Sequence, residues 1–119
     1  MKMNDNQLRK LLDSYYQDLV ASYEAYANGE DDSYYDENEI QNLYDYVTDA
    51  YQVEYTKTLS GSFVGCSICI ALGGPNIYID TSHNRLEGYW GGKVEYLCFE
   101  DYQIVETIEN IVEELAECN

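Results

Sequence analysis

The spacing of the apolar residues changes twice along this chain, and this change constrains the fold more than any other feature. In residues 6–28, leucines and tyrosines recur at steps of three and four, which predicts an amphipathic helix that ends at Asn28 and Gly29. In residues 63–99, apolar residues alternate in steps of two, which predicts short strands. Residues 101–117 return to the helical spacing. Their predicted inner stripe consists of Ile104, Val105, Ile108, Ile111, Val112 and Leu115.

Residues 30–51 are predicted to hold a connection and then a second helix. The segment 30–39, EDDSYYDENE, contains six acids and no aliphatic residue, so we expect it to be exposed, with its last acids opening the helix. The second helix is predicted from about residue 37 to residue 51. Its inner side is expected to carry Ile40, Leu43, Tyr44, Val47 and Tyr51.

Turn signals divide the middle of the chain into short strands. Four strands are predicted, at residues 63–72, 77–80, 85–90 and 93–99. Gly91 and Gly92 fit a two-residue hairpin turn, and residues 53–59 fit either a fifth strand or an extension of the second helix. The predicted fold class is therefore α+β in a single domain, residues 1–119, with two N-terminal helices, a four- to five-stranded antiparallel sheet and one C-terminal helix packed on the sheet.

The charge of the chain excludes one class of partner. Twenty-three Asp and Glu against six Lys and Arg give a formal net charge of −17. Because neutralising phosphates requires Lys and Arg, the chain is not expected to bind DNA, RNA or an anionic membrane, and a basic protein is the expected partner. No apolar run is long enough for a signal peptide or a bilayer span, so a cytoplasmic protein is expected. The four cysteines, Cys66, Cys69, Cys98 and Cys118, are then expected to be free thiols.

The sequence contains no motif that predicts catalysis, a cofactor or a metal site. The only histidine, His83, lies in a turn with no paired nucleophile, and it would indicate an enzyme only if a carboxylate such as Asp80 shared a cleft with it. Cys66 and Cys69 fit a C-x-x-C pattern, but residues three apart in a strand point to opposite faces. The acidic run 31–39 lacks the glycine and the alternating oxygens of a calcium loop.

Acidic residues form rows on the predicted helices. On the last helix, a row at steps of three and four lies opposite the apolar stripe and consists of Glu106, Glu109, Glu113 and Glu117. Like charges at this spacing repel, and acids near a helix C-terminus oppose the helix dipole. Further rows are expected on the first two helices, at Asp13, Asp18 and Glu24 and at Asp36, Glu37, Asp45 and Asp49. The acids of the last helix thus depart from two preferences of helices, and both departures add negative charge, which indicates a function for the charge.

Tyrosine dominates the aromatic residues, with 14 copies against two phenylalanines and one tryptophan. Ten of the tyrosines lie in residues 15–55, interleaved with acids. Tyr34, Tyr35 and Tyr46 fall off the predicted inner stripes, so we expect them to be exposed. Exposed tyrosine beside aspartate is typical of an interface for an arginine-rich surface.

In size, charge and acidic rows the chain resembles the small acidic inhibitors of phages and mobile elements that imitate DNA, among them anti-restriction and anti-CRISPR proteins. The resemblance implies a non-enzymatic inhibitor of a nucleic-acid-binding host defence complex, acting in the bacterial cytoplasm on a CRISPR effector or a restriction enzyme. Its carboxylates would occupy the groove whose Lys and Arg normally hold phosphates. The predicted partner-binding residues are Asp31, Asp32, Tyr34, Tyr35, Asp36, Glu37, Glu39, Asp45, Tyr46, Glu106, Glu109 and Glu113.

Two other functions fit the sequence. An immunity protein that neutralises a basic nuclease toxin would use the same electrostatics on a different partner. An acidic adaptor domain would instead bind through the hairpins of residues 73–99, with Tyr78, Tyr89 and Trp90 as anchors, and its binding would tolerate salt. The oligomeric state stays open, and a homodimer would widen the charge pattern by symmetry.

Overall fold

The computed structural model describes residues 5–117 and has the predicted α+β class. Its elements, in chain order, are α1 (Asp5–Ala27), α2 (Asp32–Glu37), α3 (Leu43–Thr48), β1 (Gln52–Lys57), β2 (Phe63–Ala71), β3 (Asn76–Asp80), β4 (Arg85–Trp90), β5 (Lys93–Cys98) and α4 (Tyr102–Glu117). The prediction of four or five antiparallel strands and a C-terminal helix is confirmed, and the fifth strand is β1.

The five strands follow one another in space as they do in sequence. The sheet order is β1-β2-β3-β4-β5, and every neighbouring pair is antiparallel. The predicted hairpin turn between β4 and β5 is confirmed, since Gly91 and Gly92 both have positive φ, 58° and 83°. Two successive positive φ angles are what a tight type I′ turn requires, and glycine adopts them without steric cost.

One face of the sheet is covered by helices. Ile68, Ile79 and Leu86 are paired across β2, β3 and β4 and are fully buried on this face. Helix α1 packs on β4 and β5, while α4 packs on β2 and α3. The approach of α1 is close, because a Cβ added at Gly88 would lie 3.1 Å from methyl carbons of both Leu8 and Leu12. The glycine in the middle of β4 therefore sets how near the helix comes to the sheet.

The opposite face of the sheet, which we call the open face, carries polar and aromatic side chains. Because successive residues of a strand alternate between faces, it is formed by the residues between those of the core. The open face includes Ser67, Asn76, Tyr78, Asp80, Arg85, Glu87, Tyr89 and Tyr96. A strand whose two sides differ in this way shows the alternation typical of an antiparallel sheet with one side packed on the core.

The long periodic helices were predicted correctly. Helix α1 ends one residue before Asn28, and Gly29 has a φ of 69°, while the N–H of Glu30 donates to the carbonyl of Ala25 at 3.1 Å. These are the features of a helix that ends in a left-handed glycine. In α4, the five residues Ile104, Val105, Ile108, Ile111 and Val112 are buried. The sixth residue of the predicted stripe, Leu115, packs against the core from a partly buried position.

The segment before the sheet differs from the prediction. Instead of one helix over residues 37–51, the chain forms two six-residue helices, α2 and α3, so the prediction of two N-terminal helices is wrong. The segment 30–39, predicted as an exposed connection, contains α2, and its Tyr35 is only 6% exposed. Tyr44 and Tyr51, expected on an inner side, are exposed instead.

The end of α2 explains why no long helix forms here. Glu39 has a φ of 54°, in the left-handed region that stops a helix. The N–H of Ile40 then donates to the carbonyl of Tyr35 at 2.9 Å, which is the closing bond of a Schellman motif. A new helix starts when the side-chain oxygen of Asn42 accepts a hydrogen bond from the N–H of Tyr44 at 2.8 Å. A glutamate at the left-handed position gives no sequence signal comparable to glycine.

The Glu39→Gly substitution is expected to stabilise the protein. The left-handed conformation costs an L-residue about 1 kcal/mol or more, whereas glycine adopts it without strain. The free energy of unfolding, measured with urea, should therefore rise by about 1 kcal/mol relative to Glu39→Gln. The Gln variant is the control because it removes the same charge and keeps the strained backbone. Equal stability of the two variants would contradict the expectation.

Candidate acidic interface

Two adjacent grooves on the helical side of the molecule are lined by acidic residues. The first has a volume of about 590 Å³ and is lined by Asp32, Tyr35, Asp36, Ile40, Gln41, Asn42, Tyr44 and Asp45. The second has a volume of about 450 Å³ and is lined by Asp18, Ala21, Asn38, Glu39, Ile40, Gln41 and Tyr46. Because both grooves share Ile40 and Gln41, they lie on the two sides of the connection between α2 and α3. We call them the first and the second acidic groove.

The structure brings six of the twelve predicted partner-binding residues to these grooves. The first acidic groove has Asp32, Asp36, Asp45 and Tyr35 in its lining, and the second has Glu39 and Tyr46. Asp32 and Asp45 lie in the first turns of α2 and α3, where a carboxylate is favoured by the helix dipole. The short helices therefore place these carboxylates without a large local cost.

Asp31 has a structural task at the start of α2. Its side-chain oxygen accepts hydrogen bonds from the hydroxyl of Ser33 at 2.6 Å and from the N–H of Tyr34 at 3.2 Å. These bonds, with that from Ser33 the stronger, lower the pKa of the Asp31 carboxyl below its ordinary value. Asp31, Tyr34 and Glu37 are exposed on or beside α2, outside the residues that line the two acidic grooves.

Two of the predicted tyrosine anchors are buried, so the expectation that they are exposed is wrong. Tyr35 is 6% exposed and Tyr46 is 8% exposed, whereas Tyr34 is exposed as predicted. Burial raises the pKa of Tyr46 to about 12, and the nearby charge of Asp18 adds to the effect. The physical reason is that α2 and α3 are separate short helices, which turn these rings toward the core. Their rings form walls of the acidic grooves and are not free anchors.

The basic residues are absent from the helices beyond the start of α1. Residues 11–56 contain 12 acids and no Lys or Arg, and residues 94–119 contain eight acids and no Lys or Arg. In the described part of the chain, the bases lie in the first two turns of α1, at the end of β1 and on β4 and β5, at positions Arg9, Lys10, Lys57, Arg85 and Lys93. The helical layer beyond the start of α1 therefore carries negative charge with no cation of its own.

The glutamates predicted on α4 form a separate part of this acidic surface. Glu106 is exposed, while Glu109 and Glu113 are partly buried, and the three lie outside the linings of the acidic grooves. Burial raises the pKa of Glu109, a hydrogen bond from Thr81 opposes this effect, and the charges of Glu106 and Glu113 raise the pKa further. The resulting pKa lies above the ordinary value, so the ionised carboxylate of Glu109 is destabilising.

The open face of the sheet holds aromatic residues that the main prediction left out. The rings of Tyr78 and Tyr89 meet edge to face with centroids 5.8 Å apart, and they line a groove of about 500 Å³ with Ser67, Asn76 and Glu87. Burial raises the pKa of Tyr89 to about 12, and the charge of Glu87 contributes. Trp90, grouped with these tyrosines in the adaptor hypothesis, is the next residue along β4 and therefore points to the other side.

The cysteines and the histidine also have defined places. Cys66, Cys69 and Cys98 are free thiols, as expected, and Cys118 lies outside the described residues. Cys66 belongs to the core, where burial raises the pKa of its thiol to about 11. His83 Nδ1 lies 2.7 Å from Asp80 Oδ2, but the imidazole side chain is 62% exposed on the turn between β3 and β4. The two residues therefore form a pair at the surface.

Comparisons with protein-family models, with curated proteins and with solved structures give no match for this chain. Among residues 5–117, none of the helices has both the length and the apolar character that crossing a bilayer requires.

The Glu109→Gln substitution is expected to raise the melting temperature at pH 7. An acid whose pKa is raised by folding binds more protons in the native state, so its cost appears as the pH rises above the ordinary value of 4.5 and stays present at neutral pH. The gain should shrink as the pH falls toward that value and be lost below it. Glu114→Gln, which removes one charge from an exposed position of the same helix, should stabilise less. Equal gains from both variants would mean that only net charge matters.

Proposed function

We propose that this protein is a non-enzymatic inhibitor that binds the basic nucleic-acid groove of a host defence complex by imitating the charge of DNA. The observation that carries the proposal is the segregation of charge. Helices α1, α2, α3 and α4 all present acids, and after Lys10 none of these helices contains a Lys or Arg. Such a surface repels nucleic acid and attracts the proteins that bind it.

The acidic grooves fit the side chains that hold phosphates. A guanidinium group pairs with carboxylates through two parallel hydrogen bonds, and the same fork geometry serves for phosphate. Asp32, Asp36 and Asp45 converge on the first acidic groove from two helices, and Tyr44, which is 39% exposed, supplies a ring beside them. An arginine of the partner could therefore pair with carboxylates and stack on an aromatic ring in this groove.

The cost of the acidic surface supports a function beyond solubility. Glu39 lines the second acidic groove although its backbone is in a conformation that glycine would adopt more easily. Burial raises the pKa of Glu109, and the charges of Glu106 and Glu113 add to the effect. A chain that needed charge only for solubility could place acids at unstrained, well-hydrated positions. Departures from local preference concentrate at functional sites in natural proteins.

The inhibitor proposal is tested by competition with DNA. A labelled duplex bound to each of a panel of CRISPR effectors, restriction enzymes and basic nuclease toxins is titrated with the protein, and release is followed by fluorescence anisotropy. We expect the duplex to be displaced from a CRISPR effector or a restriction enzyme, less completely as salt rises. Displacement from a toxin alone would favour the immunity protein, and displacement from none would contradict the proposal.

A triple variant assigns the binding surface. Asp32→Asn, Asp36→Asn and Asp45→Asn together should weaken displacement by roughly tenfold or more, since each bond between charged groups contributes more than about 1 kcal/mol. The matched control, Glu54→Gln, Glu95→Gln and Glu100→Gln, removes the same charge from positions outside the acidic grooves. Equal weakening by the two triple variants would show that net charge acts without these grooves.

An adaptor that binds through the open face is the second candidate function. The observation that favours it is the pair of tyrosine rings, Tyr78 and Tyr89, beside exposed Val94 and Tyr96. Aromatic anchors of this kind contribute binding energy that depends little on salt. Binding that is lost in Tyr89→Ala and unchanged in the Asp32, Asp36 and Asp45 variant would favour the adaptor.

A further inference from the structure

The hairpin of β3 and β4 brings together three side chains that can each donate one ligand atom to a metal ion. These side chains are Asp80, His83 and Glu87, and their ligand atoms all lie within 4.8 Å of one another. Asp80 ends β3, His83 lies in the turn and Glu87 lies in the middle of β4. The three residues are outside both acidic grooves, so this cluster is independent of the proposed inhibitor surface.

The geometry of the hairpin produces this cluster. Asp80 is paired with Arg85, so Glu87, two residues further along β4, has its side chain on the same face as Asp80. In the turn, the N–H of His83 donates to Asp80 Oδ1 at 3.3 Å, and Asn84 has a φ of 54°. The backbone therefore reverses directly after Asp80 and returns the imidazole of His83 toward its carboxylate, with Nδ1 2.7 Å from Oδ2.

We propose that Asp80, His83 and Glu87 form a binding site for a divalent transition-metal ion of the zinc type. One imidazole nitrogen and two carboxylate oxygens are donors that zinc accepts. Three protein ligands leave one position of a tetrahedral ion for water or for a group from another molecule. The His83 side chain, 62% exposed, opens one side of the site to solvent.

The neighbours of Glu87 support the site because ligand carboxylates are usually held by further hydrogen bonds. Arg85 Nε donates to Glu87 Oε2 at 2.8 Å, and the hydroxyl of Tyr89 donates to Glu87 Oε1 at 3.1 Å. Each carboxylate oxygen has a second lone pair for a metal. Arg85 offsets one of the two negative charges, which leaves the pair of carboxylates with a net negative charge for a cation.

Binding requires small movements of the ligand atoms. With metal–ligand distances of about 2.1 Å, two ligand atoms of a tetrahedral ion lie about 3.4 Å apart. The Asp80 Oδ2 to His83 Nδ1 distance of 2.7 Å must therefore open, and the other ligand-atom separations, all within 4.8 Å, must settle near the same value. His83 can move because its side chain is 62% exposed, while the Glu87 side chain, 12% exposed, stays in its bonds to Arg85 and Tyr89. The metal takes the place of the hydrogen bond between Asp80 and His83.

The single histidine of the chain makes the test specific. The full chain, labelled with ¹⁵N, is titrated with ZnCl₂ while imidazole resonances are followed by NMR, and only His83 contributes to them. We expect saturable one-to-one binding with a large shift of the Nδ1 resonance. His83→Ala and Glu87→Gln, measured by calorimetry, should each weaken zinc binding by roughly tenfold or more.

Cysteine thiols are the competing zinc ligands. A double variant, Cys98→Ser and Cys118→Ser, serves as the control and should bind zinc as tightly as the parent chain. His83→Ala changes an exposed residue, and its circular dichroism spectrum checks that the fold is kept. The proposal is overturned if zinc binding survives His83→Ala, if the cysteine variant loses it, or if the His83 resonances stay unshifted at millimolar zinc.

Discussion

The packing of α1 and α4 against one face of the sheet is the interaction on which the rest of this structure depends. Each helix buries an apolar stripe on that face, with Leu12 in α1 and Ile108 in α4 fully buried. A helix that turns one side to the core must turn its other side to water, and here that side is acidic. Because the helices of residues 5–117 cover one face of the sheet and leave the other open, this part of the chain has two distinct surfaces. One is the acidic helical layer, and the other is the open face with its tyrosines.

The strength of the periodic signal decided which elements could be predicted. The stripes of α1 and α4 and the alternation of β2 to β5 extend over enough residues to define the element and its buried side. The prediction for residues 30–51 was wrong because α2 and α3 have six residues each, too few to show a helical period of apolar residues. Tyrosine adds to the ambiguity, since its ring suits the core and its hydroxyl suits water. Tyr35 and Tyr46 are buried, whereas Tyr44 and Tyr51 are exposed.

The two candidate sites differ in how far they can be predicted from the local sequence. The acids of residues 31–39 and Asp45 were predicted as binding residues from composition, but their meeting in a groove depends on the left-handed Glu39 that separates α2 from α3. The cluster of Asp80, His83 and Glu87 depends on strand register, and its spacing matches no compact metal motif. Contacts across a hairpin become visible only when the turn and the pairing are known.

The location of the few bases argues that the charge of the helical layer is organised. Arg9 contacts Glu95 and the carbonyl of Tyr96, and Arg85 binds Glu87 while its guanidinium lies 3.7 Å from the centre of the Tyr96 ring. Bases therefore neutralise acids near β4 and β5. Residues 11–56, which include most of α1 and all of α2 and α3, contain no Lys or Arg that could neutralise the acids of these helices. Repulsion among those acids would be relieved by a few interspersed lysines, which would also keep the protein soluble. Their absence leaves an uncompensated field, and a basic partner is what would neutralise it.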